Sequence, residues 1–219
     1  MWKNLTAAIA ITALMSVGIA GKALAVSLTE SGDAGDSLAT AQTGNEPVGT
    51  TLDGINGTIG SGDIDLYQIF ISGPSFSAST VGGGNTLNTV LYLFNSSGLG
   101  VYASDDDFPD FQSTISVGSL AAGTYYLGIS ISGYEPQSAG GAIFDFAAAD
   151  PATSANGPGG GSPLNSWSSG FPEIGSYSIG VSGAQFAGAQ AAGVPFEFSP
   201  TLGVLILAAW GAATKLKSK

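Results

Sequence analysis

Between residues 60 and 190 the chain is built from short runs rich in Val, Ile, Leu, Tyr and Phe, and turn-forming residues separate these runs. Runs of this length bounded by Gly, Pro, Asn and Ser are typical of β-strands. The breaks include Ser72-Gly73-Pro74, Gly82-Gly83-Gly84-Asn85 and Ser96-Ser97-Gly98. No ten-residue stretch of helical periodicity interrupts the runs. The pattern therefore predicts an all-β fold, specifically an antiparallel β-sandwich.

Eight runs are predicted to be strands within a β domain spanning residues 47–190. They are DIDLYQIFIS (63–72), SFSAST (75–80), TVLYLFN (89–95), GVYAS (100–104), STISV (113–117), GTYYLGISIS (123–132), GAIFDF (141–146) and GSYSIGVSG (175–183). An acidic segment, 26–46, precedes the domain, and DSLATAQ within it predicts one helical turn capped by Asp36 or Ser37. Residues 153–170 form a Gly/Ser/Pro-rich loop, and loops of this length are either functional or mobile.

The charges are segregated along the chain. All five basic residues are lysines near the ends, and the stretch from Val26 to Pro200 holds every one of the 16 carboxylates and no Lys, Arg or His. Nucleic-acid binding, which depends on Lys and Arg, is thereby disfavoured. Nucleophilic catalysis by a Ser-His or Cys-His pair lacks its base, and zinc lacks its usual His and Cys ligands. Carboxylate chemistry remains, either with hard cations or as acid–base catalysis.

The first 25 residues predict a cleaved secretory signal peptide. Lys3 supplies the positive charge, Leu5 to Ala20 forms a largely apolar helical region, and Ala23-Leu24-Ala25 matches an A-x-A cleavage site. A short membrane anchor is the alternative. We expect export through Sec-type machinery and cleavage by signal peptidase after Ala25.

Residues 191–219 predict a sorting or anchoring tail. An apolar helix covers Leu202 to Ala213, which is short for a membrane span, and the basic residues that follow favour a cytoplasmic end. These basic residues are Lys215, Lys217 and Lys219. The motif before the helix is Pro195-Phe196-Glu197-Phe198-Ser199-Pro200. This three-part layout resembles the PEP-CTERM class of bacterial sorting signals, in a Pro-Phe-Glu variant typical of cyanobacteria, which implies an exosortase-like protease as a partner.

The middle of the chain resembles a second family, the bacterial pre-peptidase C-terminal domain. The matching features are Asp63-x-Asp65-x-Tyr67, the run Thr89 to Phe94, the acidic residues 105–107 and Ala122-Gly123-Thr124-Tyr125-Tyr126. The resemblance covers roughly residues 36–134, with 175–183 as a final strand. It implies a β-sandwich of jelly-roll type that accompanies secreted enzymes and surface proteins, although we expect no catalytic module for it to accompany among the printed residues.

Two acidic stretches supply the candidate metal ligands. In an extended chain Asp63 and Asp65 point to one face, as do Asp105 and Asp107, and Asp106 lies between the latter pair. Calcium accepts six to eight oxygen ligands, which suits these residues. A solvated acidic loop without an ion is the alternative. A glycosidase pair of one acid and one carboxylate is a more remote alternative, because nothing in the sequence sets two of these groups in a cleft.

Aromatic residues in or beside the predicted loops are candidates for ligand contact, namely Trp167, Tyr102 and Tyr134. Rings with an apolar face and a polar edge suit contact with sugars, but the same rings also pack the edges of sandwiches.

These features predict an exported, acidic, non-enzymatic protein. We expect a structural, adhesive or binding role at the cell envelope or in the extracellular matrix, with the chain tethered to the membrane or released. Polysaccharides or other surface proteins would be its partners. The alternative is a calcium-dependent accessory or carbohydrate-binding module.

Overall fold

The computed structural model describes residues 25–84, 86–106, 111–146 and 152–188. The predicted signal helix, apart from Ala25, and the predicted sorting motif, apolar helix and basic tail lie outside these ranges, as does Asp107. Within the described ranges, no helix is long and apolar enough to cross a membrane.

The described residues form an all-β structure, as predicted, and contain no helix. The helical turn predicted at DSLATAQ is a single turn in which the amide of Ala41 donates to the carbonyl of Ser37 at 2.8 Å. Thirteen strands follow one another along this part of the chain. They are β1 Val26–Thr29, β2 Thr51–Ile59, β3 Asp65–Ile71, β4 Phe76–Ser79, β5 Thr89–Asn95, β6 Gly100–Ser104, β7 Thr114–Val117, β8 Gly123–Ile131, β9 Pro136–Ser138, β10 Gly141–Ala142, β11 Thr153–Ser154, β12 Ser166–Trp167 and β13 Gly175–Phe186. Seven of the eight predicted runs coincide closely with a strand, and GAIFDF contributes only the two residues of β10.

The main sheet has the order β1-β2-β13-β3-β8-β5-β6-β11, and β4 pairs with both β13 and β7. The prediction of a purely antiparallel arrangement was wrong at one edge, because β1 pairs with β2 in parallel. A parallel pair needs a connection of about a dozen residues or more, and residues 30–50 provide one. The remaining paired strands are antiparallel, including a separate three-stranded sheet with the order β10-β9-β12.

Strand β13 changes partners at a bulge. Gly180 to Ser182 pair with β4, whereas Ala184 to Phe186 pair with β3. Gly183 lies at the change with a φ of 79°, and a Cβ at this position would lie 2.1 Å from the carbonyl oxygen of Ser75. Since only glycine readily combines this φ with such a close backbone contact, Gly183 allows β13 to pair with β4 before the bulge and with β3 after it.

Replacing Gly183 by alanine is expected to lower the free energy of unfolding by about 2 kcal/mol, because the left-handed backbone and the clash with Ser75 both penalise a Cβ. Gly118 is the matched control, since its φ is not positive and a Cβ there would meet no atom within 4 Å. Urea denaturation of both alanine variants measures the difference. Equal stability of the two would contradict this role for Gly183.

The central strands β3 and β5 carry apolar side chains on both faces, and the neighbouring β8 carries them on one face, with the half-buried Tyr126 on the other. One face belongs to the larger core, which includes Leu91, Leu93 and Leu127 together with residues of β2, β4, β7 and β13. The other face forms a smaller core of Leu66, Val90, Tyr92, Phe94, Ala103, Ile143 and Phe144. The segment we call the cover segment, residues 133–146 and 152–171, lies over this smaller core. It contains the whole loop predicted at 153–170, and Ala155, Leu164 and Trp167 of that loop pack against the smaller core.

Candidate cation site

Three carboxylates converge beside the start of β3. Oxygens of Asp33, Asp63 and Asp65 all lie within 4.8 Å of one another. Asp63 and Asp65 were predicted to lie on one face, and the structure brings them together. Asp33 was missed, because it comes from the connection between β1 and β2, some thirty residues earlier in the chain.

Backbone hydrogen bonds hold the two outer carboxylates. The amide of Gly35 donates to Asp33 Oδ1 at 2.7 Å, and the amide of Gly60 donates to Asp63 Oδ2 at 2.8 Å. The loop that carries Asp33 is in turn attached to β3, because the amide of Leu66 donates to the carbonyl of Gly35 at 3.0 Å. Both carboxylates are therefore positioned by the local backbone before any ligand arrives.

Asp65 forms the buried end of the cluster, with a side chain that is 0% exposed. Its Oδ2 accepts a hydrogen bond from the hydroxyl of Tyr177 at 2.5 Å, and that hydroxyl also lies 2.5 Å from the hydroxyl of Tyr67. Its Oδ1 is buried without a hydrogen-bond partner anywhere in the described part of the chain. A buried oxygen left unpaired in this way costs free energy unless a proton or a cation satisfies it.

The electrostatic environment of Asp65 also favours a positive partner. Burial raises the pKa of Asp65 to about 7. The hydrogen bond from Tyr177 opposes this rise, while the negative charges of Asp63, Glu30 and Asp33 add to it. Burial likewise raises the pKa of Tyr177, which therefore stays a hydrogen-bond donor at neutral pH. The ionised cluster is a site of concentrated negative charge that a hard cation would stabilise.

An open cleft of ≈ 710 Å³ leads to this cluster. Asp33 and Asp63 line the cleft, with Glu30, Ser61 and Ile174 among their neighbours. Exposure decreases from Asp33, which is exposed, through the half-buried Asp63 to the buried Asp65. A cation could therefore enter from solvent and keep some coordination positions on the open side.

The second predicted acidic stretch lies elsewhere in the sheet. Asp65 pairs with Ile129, Ile129 with Leu91, and Leu91 with Ser104, which precedes Asp105. Three strand spacings separate the two positions, or about 14 Å. One ion therefore cannot bind both groups, and the structure divides the predicted calcium ligands into two sets.

The second set has weaker features as a site. Burial raises the pKa of Asp105 to about 6, with contributions from the charges of Asp106 and Glu135, and Asp105 Oδ1 has no hydrogen-bond partner among the described residues. Asp106 is exposed, and Asp107 is not described. Within the described residues, only the group around Asp65 brings three potential ligands together.

The three predicted ligand-binding aromatics pack against the protein itself. Trp167 lies edge-on to Tyr92, with ring centroids 5.3 Å apart, and its indole N–H donates to the carbonyl of Asp36 at 2.8 Å. Tyr134 is 9% exposed, and the half-buried Tyr102 packs against the larger core. A ligand-binding role for these residues remains a prediction, whereas their packing role is observed.

Comparison with known proteins found no matching family model and no matching curated protein.

Proposed function

We propose that this protein is a calcium-binding, non-enzymatic β-sandwich with a structural or adhesive role at the cell envelope. The observation that carries the calcium-binding part is the convergence of Asp33, Asp63 and Asp65, with one buried oxygen of Asp65 unpaired among the described residues. Three carboxylates supply up to six oxygens, and backbone carbonyls or water supply the rest of a calcium shell. The bound ion would offset two of the three negative charges of the carboxylate cluster.

The sandwich architecture is inferred from packing. Apolar side chains of β3 and β5 contribute to both cores, and β13 pairs at its bulge with β4 and then β3, both of which contribute to the larger core. Two β layers enclosing one core are the usual way for such strands to bury their apolar faces. The jelly-roll connectivity implied by the sequence resemblance belongs to the same proposal.

Export and sorting are proposed from the two chain ends. The signal-like residues 1–25 and the motif at 195–200 support secretion, cleavage and exosortase-like processing, with the mature protein in the periplasm, at the cell surface or released. Intact-mass measurement of protein from envelope and medium tests this. Masses that begin at Val26 and lack the basic tail support the proposal, and a full-length mass from the cytosol contradicts it.

A calcium-dependent accessory or carbohydrate-binding module is the second candidate, and the open cleft beside Asp33 and Asp63 favours it. The glycosidase alternative has less support. Its acid would need to contact the glycosidic oxygen, and Asp65, whose pKa is raised to about 7, is completely buried and hydrogen-bonded to Tyr177.

Calcium binding is expected to stabilise the fold. At a calcium concentration one hundred times the dissociation constant, the free energy of unfolding should rise by about 2.7 kcal/mol. Isothermal titration calorimetry measures the dissociation constant for calcium, and thermal melts measure the gain in stability. Chelator-treated protein is the reference for both. Asp63→Asn should weaken binding at least tenfold.

The matched control for that experiment is Asp53→Asn. Asp53 is an exposed carboxylate on β2 that accepts a hydrogen bond from Ser27, and asparagine can still accept it. We expect this variant to bind calcium like the parent. Absence of heat and of any melting shift at millimolar calcium would refute the proposed cation site.

A further inference from the structure

The acidic cluster lies within a longer surface depression. The cleft that holds Asp33 and Asp63 shares Glu30, Thr58 and Ser176 with a neighbouring cleft that continues past Asn56 towards Gly83 and Gly84. The two clefts have volumes of ≈ 510 and ≈ 710 Å³. We call this continuous depression the groove. These volumes exceed what a single cation needs, and we infer an extended ligand.

The charge, hydroxyl groups and apolar surface of the groove indicate which class of ligand it can bind. Exposed hydroxyls of Ser61 and Ser176 line it, and the exposed side chain of Ile174 (69% exposed) supplies an apolar surface. The chain has no Lys, Arg or His between Val26 and Pro200. An acidic polymer would therefore be repelled by Glu30 and the carboxylates, whereas hydroxyl groups can bond to the lining and apolar ring faces can contact Ile174.

We propose that the groove binds a neutral polysaccharide, with the cation-loaded end formed by Asp33, Asp63 and Asp65 fixing one sugar. This inference rests on the calcium site proposed above. Calcium, when bound, accepts hydroxyl oxygens as ligands and would take two adjacent hydroxyls at its open side. The chain itself contributes the serine hydroxyls and the apolar contact of Ile174, and its acidic rim excludes anionic chains.

Affinity gel electrophoresis of the purified protein tests this, with mannan, dextran or polygalacturonate cast in the gel, in calcium and in EGTA. We expect mannan, dextran or both to retard migration only in calcium, and polygalacturonate not to retard it. Ile174→Ser should weaken binding of the neutral polymer and raise its dissociation constant roughly fivefold. Val48→Ser is the matched control, since Val48 is 71% exposed and does not line the groove, and it should behave like the parent.

Calorimetry with calcium alone separates the two proposals. If calcium binds but neither neutral polymer retards the protein, the groove proposal is wrong and the cation site stands. Retardation that persists in EGTA, or that is equal for Ile174→Ser and the parent, also overturns the groove proposal. If calcium does not bind, the cation site fails and the groove proposal fails with it.

Discussion

Replacing Trp167 by alanine is expected to lower the free energy of unfolding by about 3 kcal/mol, within the usual range for truncating a packed aromatic residue. The variant loses the edge-on contact with Tyr92 and a nearly perpendicular contact with Phe94 at 6.2 Å. It also loses the hydrogen bond from the indole to the carbonyl of Asp36, which attaches the cover segment to the chain before β2. Trp167 is therefore expected to hold the cover segment on the smaller core.

Urea denaturation measures the stability change, and limited proteolysis of the native protein reports on the cover segment. We expect cleavage within residues 133–171 to be faster in Trp167→Ala. Phe171→Ala is the control from the same segment, because Phe171 is 64% exposed and its loss should change stability by less than about 0.5 kcal/mol. Unchanged stability of Trp167→Ala, combined with lost retention on exopolysaccharide, would assign Trp167 to ligand binding instead.

The sequence predicts most of the strands because their side chains carry the β signal locally. Strand β2 was missed for a physical reason. Its sequence, TLDGINGTI, contains Gly, Asp and Asn, which have low strand propensity. It is extended because it pairs along its length with β13. Its glycines also serve tertiary contacts, since a Cβ on Gly57 would lie 2.3 Å from the hydroxyl of Tyr177.

Only the residues of the candidate site that are close together in sequence could be predicted to lie together. Asp63 and Asp65 are close in sequence and point the same way, so their proximity follows from the chain geometry. Asp33 reaches the cluster on a loop that a hydrogen bond between Leu66 and Gly35 attaches to β3, and Tyr177 reaches it through the pairing of β13 with β2. Both are far from Asp65 in sequence, and neither carries a local signal for that role. The acidic run at 105–107 gave an equally strong local signal, but Asp105 lies three strands away from Asp65.

Calcium-free protein is expected to lose stability as the pH rises from 4 to 7, because Asp65 carries its charge unfavourably in the folded state. Its pKa is about 7 when folded, against an ordinary value of 3.8. In this interval the unfolded chain has released the proton and the folded chain still holds it, so stability falls with rising pH. The contribution of the Asp65 proton to the free energy of unfolding, roughly 4 kcal/mol, is fully present below pH 4. It is completely lost above pH 7.

Urea denaturation at pH 4.5 and pH 8, in a chelator, measures this effect by comparing the parent with Asp65→Asn. Asparagine keeps an acceptor for Tyr177 and cannot ionise, so the variant should lose markedly less stability over this range. Asp105, whose pKa is raised to about 6, is present in both proteins. Its contribution to the pH dependence of stability therefore cancels when the variant is compared with the parent. Saturating calcium should reduce the stability that the parent loses between pH 4.5 and pH 8, because the cation replaces the proton beside the unpaired Oδ1 of Asp65. Equal pH dependence of parent and variant would show that the Asp65 carboxyl is not held in a destabilising environment.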